Sequence, residues 1–162
     1  SIFSAGKTFS FTGWKIGWIT APHDILQAII AVKQYLTYVN GAPFQPAIAV
    51  GLGLPDAYFD TLASDLHAKS ELLARGLTAA GFTVSPPSGG YFIVADAAPL
   101  GFADADEACR RLPDLAGVVG IPVTAFVLPE HRVDYASLIR FAFCKKTDVL
   151  ERASAQLAEL RR

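Results

Sequence analysis

The residues best placed to do chemistry stand near the start of the sequence, in Ser4-Ala5-Gly6-Lys7-Thr8-Phe9-Ser10-Phe11-Thr12-Gly13-Trp14-Lys15-Ile16-Gly17-Trp18. Lysines, hydroxyls and small residues are mixed here with large aromatics, a pattern that suits neither an amphipathic helix nor an alternating strand. An irregular backbone is therefore expected, with Gly6, Gly13 and Gly17 permitting close approach or positive φ. Ser4, Ser10 and Thr12 offer hydroxyl donors to an anion. A lysine that attacks an aldehyde must be partly deprotonated, which desolvation or a neighbouring cation brings about. Lys7 has the apolar company for that work. Lys15, eight residues on, can return to the same pocket as the second cation and as a phosphate ligand. Taken without their context, both are ordinary surface lysines.

A second chemical signal is Leu138-Ile139-Arg140-Phe141-Ala142-Phe143-Cys144-Lys145. An arginine bracketed by apolar residues must bind an anionic ligand, form an internal salt bridge, or reach past its neighbours to solvent, because burying it unpaired is costly. Other chemistries fit less well. Gly6-Lys7-Thr8 matches the end of a nucleotide-binding P-loop, but Ser1 stands where its first glycine belongs. Gly51-Leu52-Gly53 has Asp56 in place of the third glycine of a dinucleotide fingerprint. His23, His67 and His131 share no ligand spacing, so no metal site is expected.

The elements that must position these residues follow from periodicity. Ile25, Leu26, Ile29, Ile30, Val32, Tyr35 and Leu36 predict a helix over 22–39, stopped by Asn40-Gly41-Ala42-Pro43. A short apolar helix is expected over 46–52. Asp56 opens a long amphipathic helix carrying Phe59, Leu62, Leu66, Leu72, Leu73 and Leu77, ended by Gly81. Strands are expected over 1–4, 83–85, 91–95, 118–121 and 138–143, with helices over 104–112 and 146–160. This is an α/β pattern without internal repeats.

Composition narrows the partners. A chain of 162 residues, 52% hydrophobic, with a net charge of −1, has no basic stripe for nucleic acid. No apolar run reaches the ~18 residues of a membrane span, since Asp24, Gln27 and Lys33 interrupt the best candidate. With polar and small residues at its start, the chain is not expected to carry a signal peptide. Cys109 and Cys144 form no regular pattern, which fits a reducing compartment, the cytoplasm. A mean hydropathy of +0.35 is high for a small monomer and points to covered surface.

The segment around Lys7 closely resembles the active-site signature of the class I and II aminotransferases, fold type I enzymes dependent on pyridoxal 5′-phosphate. In that family S-x-x-K carries the Schiff-base lysine, and a basic residue eight positions later grips the cofactor phosphate. The resemblance makes Lys7 the Schiff-base lysine and Ser4 and Lys15 phosphate ligands. Many relatives have arginine where Lys15 stands; T-G-W-K is frequent in the kynurenine and methionine aminotransferase branch. The R-F-x-F-x-K string resembles the family's C-terminal strand, which makes Arg140 the ligand of the substrate α-carboxylate. Lys33-Gln34-Tyr35-Leu36-Thr37-Tyr38 with Ala42-Pro43-Phe44-Gln45, and Ser88-Gly89-Gly90-Tyr91-Phe92, extend the match over nearly the whole chain. In relatives the first of these regions reaches the neighbouring subunit's active site, with Tyr38 as the candidate contact. An aromatic at helical spacing is otherwise an ordinary core residue.

The resemblance implies residues 1–50 as the C-terminal part of the large cofactor domain and 51–162 as the small α/β C-terminal domain. It also implies a homodimer acting on amino acid and 2-oxo acid substrates. The family's aspartate at the pyridine nitrogen, its asparagine and tyrosine near the ring oxygen and its stacked aromatic have no match here. They lie upstream of the lysine in relatives, so the chain is expected to be the C-terminal part of a subunit, inefficient alone. K-Q-Y-L, A-P-F-Q-P and R-F-x-F-C-K are most similar to N-succinyldiaminopimelate aminotransferases, then to kynurenine and methionine aminotransferases. A cysteine-S-conjugate β-lyase shares every motif, and a non-catalytic aminotransferase-like regulatory domain can retain both Lys7 and Arg140.

Overall fold

Strand β1 (Ile2–Ser4) pairs antiparallel with β2 (Gly17–Ile19), setting Phe3 opposite Trp18 and Ser4 opposite Gly17. The two facing aromatics stack with ring centroids 5.1 Å apart, the cross-strand contact that aromatic pairs favour. Gly17 is required here, because a Cβ would collide with the Phe3 carbonyl. Between the strands the chain makes the single helical turn α1 (Ala5–Thr8) and a 3₁₀ turn over Thr12–Trp14. The loop is drawn shut where the Ala5 amide donates to the Ile16 carbonyl at 3.0 Å. The computed structural model describes residues 1–161, and the chain divides into two compact units, Ser1–Tyr58 and the remainder from Phe59.

The first unit also contains α2 (His23–Leu36) and α3 (Gln45–Leu52). Its buried apolar residues are few, Ala5, Ile16 and Ile48, with Phe9, Phe11 and Trp18 packed against them. Helix α2 buries none of its residues. It also ends earlier than the periodicity predicts: the amides of Thr37 and Tyr38 both donate to the Lys33 carbonyl, and Tyr38 turns the chain with a positive φ of 52°. The apolar residues up to Val39 continue the helical spacing without being helical.

Asp56 begins α4 (Asp56–Ala80), most of which lies in the second unit. That unit is built on an antiparallel sheet in the order β3 (Thr83–Ser85), β4 (Phe92–Asp96), β6 (Leu138–Ala142), β5 (Ile121–Pro122). Alternation along β4 and β6 turns Ile93, Ala95, Ile139 and Phe141 into a core completed by Leu73 and Leu77 of α4, Leu112 of α5 (Ala105–Ala116), and Leu150 and Leu157 of α6 (Thr147–Ala158). The intervening residues Phe92, Val94 and Arg140 point to the other face and are half-buried. Period-two patterning therefore sends Arg140 away from the core.

Helix α5 begins where the Asp104 carboxylate accepts the Glu107 amide at 2.7 Å and the Glu107 carboxylate accepts the Ala103 amide at 2.7 Å. This reciprocal arrangement is a close relative of the capping box. The amide from Ala103 and the Arg111 guanidinium hold the Glu107 carboxyl below the usual glutamate range. The helix outlasts its expected end at 112 despite Pro113. Proline removes one intrahelical donor, but Ala105, Ala108, Leu112 and Ala116 form a continuous buried stripe that rewards the extra turn. Gly117, with φ 61°, donates to the Pro113 carbonyl and ends it.

The strand expected over 118–121 is only Ile121–Pro122, paired with Arg140 and Ile139. Pro122 cannot extend a ladder, and the chain enters a 3₁₀ turn over Val123–Phe126. Thr83–Ser85 agrees with expectation, β1 and β6 each differ by one residue at one end, β4 is shifted by one residue at both, and the strand Gly17–Ile19 was not expected. No helix among the described residues is long and apolar enough to cross a membrane.

Candidate active site

Lys7 sits on α1, whose backbone is wedged into the first unit: Ala5 and Gly6 are buried. A Cβ on Gly6 would lie 2.9 Å from the Cα of Thr12, so glycine lets the helical turn press against the following 3₁₀ turn. Ser4, Lys7, Thr12 and Lys15 line one open pocket of about 280 Å³, together with Gly6, Ile16 and Gly17. Its polar side chains are two amines and two hydroxyls, and no carboxylate is among the lining residues. Such a donor set suits an anion, and phosphate in particular. An amine beside it is placed to meet a carbonyl carbon on the same ligand.

Lys15 occupies the left-handed region, with φ 55° and ψ 37°. Its carbonyl accepts the Asn40 side-chain amide at 2.6 Å, and the carbonyl of Asn40 accepts Gln45 Nε2 at 3.0 Å. Sequence reading took Asn40 only as a helix stop; a partner 25 residues away has no local signal. Ser10 also has a positive φ, 58°, but does not line the cavity.

Tyr38 is 77% exposed and is not among the cavity's lining residues. Its carbonyl accepts Lys33 Nζ at 3.1 Å. A bulky residue held at positive φ is an outlier that local sequence does not favour.

In the second unit, Arg140 stands opposite Val94 on β4 and Ile121 on β5. Its guanidinium carbon lies 4.0 Å from the Phe92 ring centroid and 4.1 Å from that of Phe126. Phe92 is its diagonal neighbour across the β4–β6 ladder, and Phe126 ends the 3₁₀ turn that follows β5. Arg140 Nε is buried and has no hydrogen-bond partner, so the internal salt bridge allowed by the sequence is not formed at that atom. A buried donor left unpaired costs ~1–3 kcal/mol. Phe126 escaped the sequence reading because it lies 14 residues from Arg140, in a segment expected to be irregular. Among the described residues no three histidine, cysteine or acidic side chains cluster as a metal site.

The sequence model described as aminotransferase class I and II matches residues 2–157. A Mycobacterium tuberculosis protein named as a probable N-succinyldiaminopimelate aminotransferase is 45% identical over 99% of this chain and 42% of its own length. A kynurenine–oxoglutarate transaminase of Dictyostelium discoideum is 34% identical over 100% of this chain and 41% of its own. Among solved structures, N-succinyldiaminopimelate aminotransferase from Mycobacterium tuberculosis superposes with a TM-score of 0.86 at 46% identity, covering 98% of this chain and 41% of that one. The chain thus spans about two fifths of the length of these relatives.

Proposed function

Because the chain belongs to the aminotransferase class I and II family, we propose that it is the C-terminal part of a pyridoxal-5′-phosphate-dependent aminotransferase that turns an amino acid into a 2-oxo acid. Its architecture is that of the fold type I relatives, as the motifs led us to expect. N-succinyldiaminopimelate aminotransferase activity is the first choice, with kynurenine and methionine transamination next, following the order of the similarities. The single observation that carries this reading is the cavity in which Ser4, Lys7, Thr12 and Lys15 meet. An anionic aldehyde fits that lining: hydroxyls and the Lys15 ammonium take the phosphate, and Lys7 takes the aldehyde.

In this reading Ser4 and Lys15 hold the cofactor phosphate, the first by hydrogen bonding and the second as a point charge. Pyridoxal phosphate supplies an aldehyde that condenses with amines and a ring that accepts the electron pair left when the α-proton departs. Lys7 Nζ would hold the cofactor through its aldehyde, and the same amine would serve as the base that moves the substrate α-proton. Arg140 takes the α-carboxylate edge-on with two parallel hydrogen bonds, and the rings of Phe92 and Phe126 restrain it.

We further assign residues 1–50 to the large cofactor domain and 51–162 to the small domain of a cytoplasmic homodimer. The unburied apolar helix α2 and the exposed Tyr38 support a partner contact in that region. Borohydride reduction of the full-length protein with pyridoxal phosphate, followed by peptide mass mapping, tests the core of the proposal. An adduct on Lys7 is expected. A folded protein without it would leave a non-catalytic binding or regulatory domain as the better account.

A further inference from the structure

We infer that Asn40 is a positioning residue for Lys15 and, through it, sets the affinity for the cofactor phosphate; the inference rests on the function proposed above, in which Lys15 is a phosphate ligand. Lys15 is held in a conformation that side chains bearing a Cβ avoid, φ 55° and ψ 37°. Glycine is the default residue there. The sequence instead places its glycine two positions earlier, at Gly13, where a Cβ would meet nothing within 4 Å. Backbone strain kept at a lysine while the permissive residue stands beside it indicates that the side chain is needed where this backbone carries it.

The strain must be opposed by neighbouring contacts. The Lys15 carbonyl accepts Asn40 Nδ2 at 2.6 Å, and the next carbonyl, that of Ile16, accepts the Ala5 amide at 3.0 Å. Asn40 is itself restrained from both sides. Gln45 Nε2, at the start of α3, donates to its carbonyl at 3.0 Å. Gly41, at φ 55°, sits against Ile16 so closely that a Cβ would collide with the Ile16 Cδ1. Ile16 is 8% exposed and belongs to the buried cluster with Ala5 and Ile48. A continuous set of contacts therefore runs from α3 through Asn40 to the peptide unit of Lys15, a residue that lines the pocket with Ser4, Lys7 and Thr12. Asn40 does not line that cavity, so it acts on its contents only through Lys15.

The test is a double-mutant cycle in the full-length apoprotein, with Asn40→Ala, Lys15→Ala and the pair, titrated with pyridoxal phosphate and with pyridoxal, which lacks the phosphate. Loss of one hydrogen bond of ordinary strength predicts roughly three- to tenfold weaker pyridoxal phosphate binding in Asn40→Ala. Pyridoxal binding should change less than twofold, and Asn40→Ala should add nothing in the Lys15→Ala background. An equal loss for both ligands, or an additive loss on top of Lys15→Ala, overturns the inference by making Asn40 a general structural residue. If Lys15→Ala weakens pyridoxal phosphate and Asn40→Ala does not, the inference alone fails. If Lys15→Ala leaves the affinity for pyridoxal phosphate unchanged, the phosphate assignment fails and the inference falls with it. Melting of the apoproteins supplies a separate readout: Asn40, being exposed, should shift it little, and a large drop counts against the positioning role.

Discussion

Replacing Arg140 by lysine in the full-length enzyme should weaken catalysis by an amount the geometry bounds. The guanidinium carbon is 4.0 and 4.1 Å from the centroids of Phe92 and Phe126, so two aromatic rings restrain the group that is proposed to take the carboxylate. Lysine keeps the charge but offers one hydrogen bond in that direction where arginine offers two parallel ones. Losing one charge-assisted hydrogen bond costs ~1.5–3 kcal/mol, or roughly 10- to 150-fold in kcat/KM. Lost stacking adds about 0.5–1 kcal/mol per ring at most, because an ammonium retains part of the cation–π attraction. The assay is single-turnover transamination followed by cofactor absorbance, with an amino acid and with the matching amine that lacks the α-carboxylate. The amino acid should lose the predicted factor and the amine should be unaffected. A loss below threefold, or the same loss for both donors, would refute the role given to Arg140. Trapping of Lys7 should be unchanged in the variant.

Four further outcomes follow from packing and titration. Gly76→Ala should lower the melting temperature, because the new Cβ would lie 2.9 Å from the Cα of Ser154 on α6; overpacking costs ~1–3 kcal/mol and outweighs the ~1 kcal/mol gained in helix propensity. Ser154→Ala should raise it by the equivalent of about 1 kcal/mol, since the buried Ser154 hydroxyl has no partner. The cap of α5 gives a pH signature: because Glu107 is held below the usual range, its contribution is complete above about pH 5 and is lost as pH falls through the depressed value, and Glu107→Gln should flatten that acid limb. Burial first, and the neighbouring Asp106 carboxylate second, push the Cys109 thiol up to about 11. At pH 8 only on the order of one part in a thousand is thiolate, so iodoacetamide should label the exposed Cys144 and leave Cys109 until the solution is strongly alkaline.

What was legible in the sequence was whatever depends on local periodicity. The leucines of α4 recur at helical spacing, whereas the side of β6 on which Arg140 lies was left open by its apolar neighbours and is seen only in the structure. Boundaries failed where tertiary contacts outweigh local rules. Helix α5 passes Pro113 because Ala116 is buried, while the strand expected at 118–121 forms only over Ile121–Pro122 before the chain enters a 3₁₀ turn. The left-handed turns at Ser10, Lys15 and Tyr38 were invisible in principle, since nothing in those residue types announces positive φ. Of the site, the lysines, Ser4 and Thr12 were readable as donors within one short segment. Asn40 and Phe126 were not, because each meets its partner across a loop.

The two units carry unequal shares of their own stability, and this bears on where function resides. The second unit buries a continuous core shared by three helices and a sheet, so the strand that presents Arg140 is held by contacts within this chain. The first has three buried apolar side chains, and α2 exposes Ile25, Ile30, Val32, Tyr35 and Leu36. A helix with no buried face gains little from propensity alone, and an apolar surface of this kind marks an interface. Within this chain the segment bearing Lys7 takes its rigidity from the small β1–β2 ribbon and the Ala5–Ile16 hydrogen bond. If the proposed partner covers α2, the chain on its own should have a loosened lysine pocket and an intact sheet carrying Arg140. Amide hydrogen exchange on the chain alone measures this directly: fast exchange over residues 2–52 with protection retained in β4 and β6 is expected, and uniform protection of both regions would show that the first unit needs no cover.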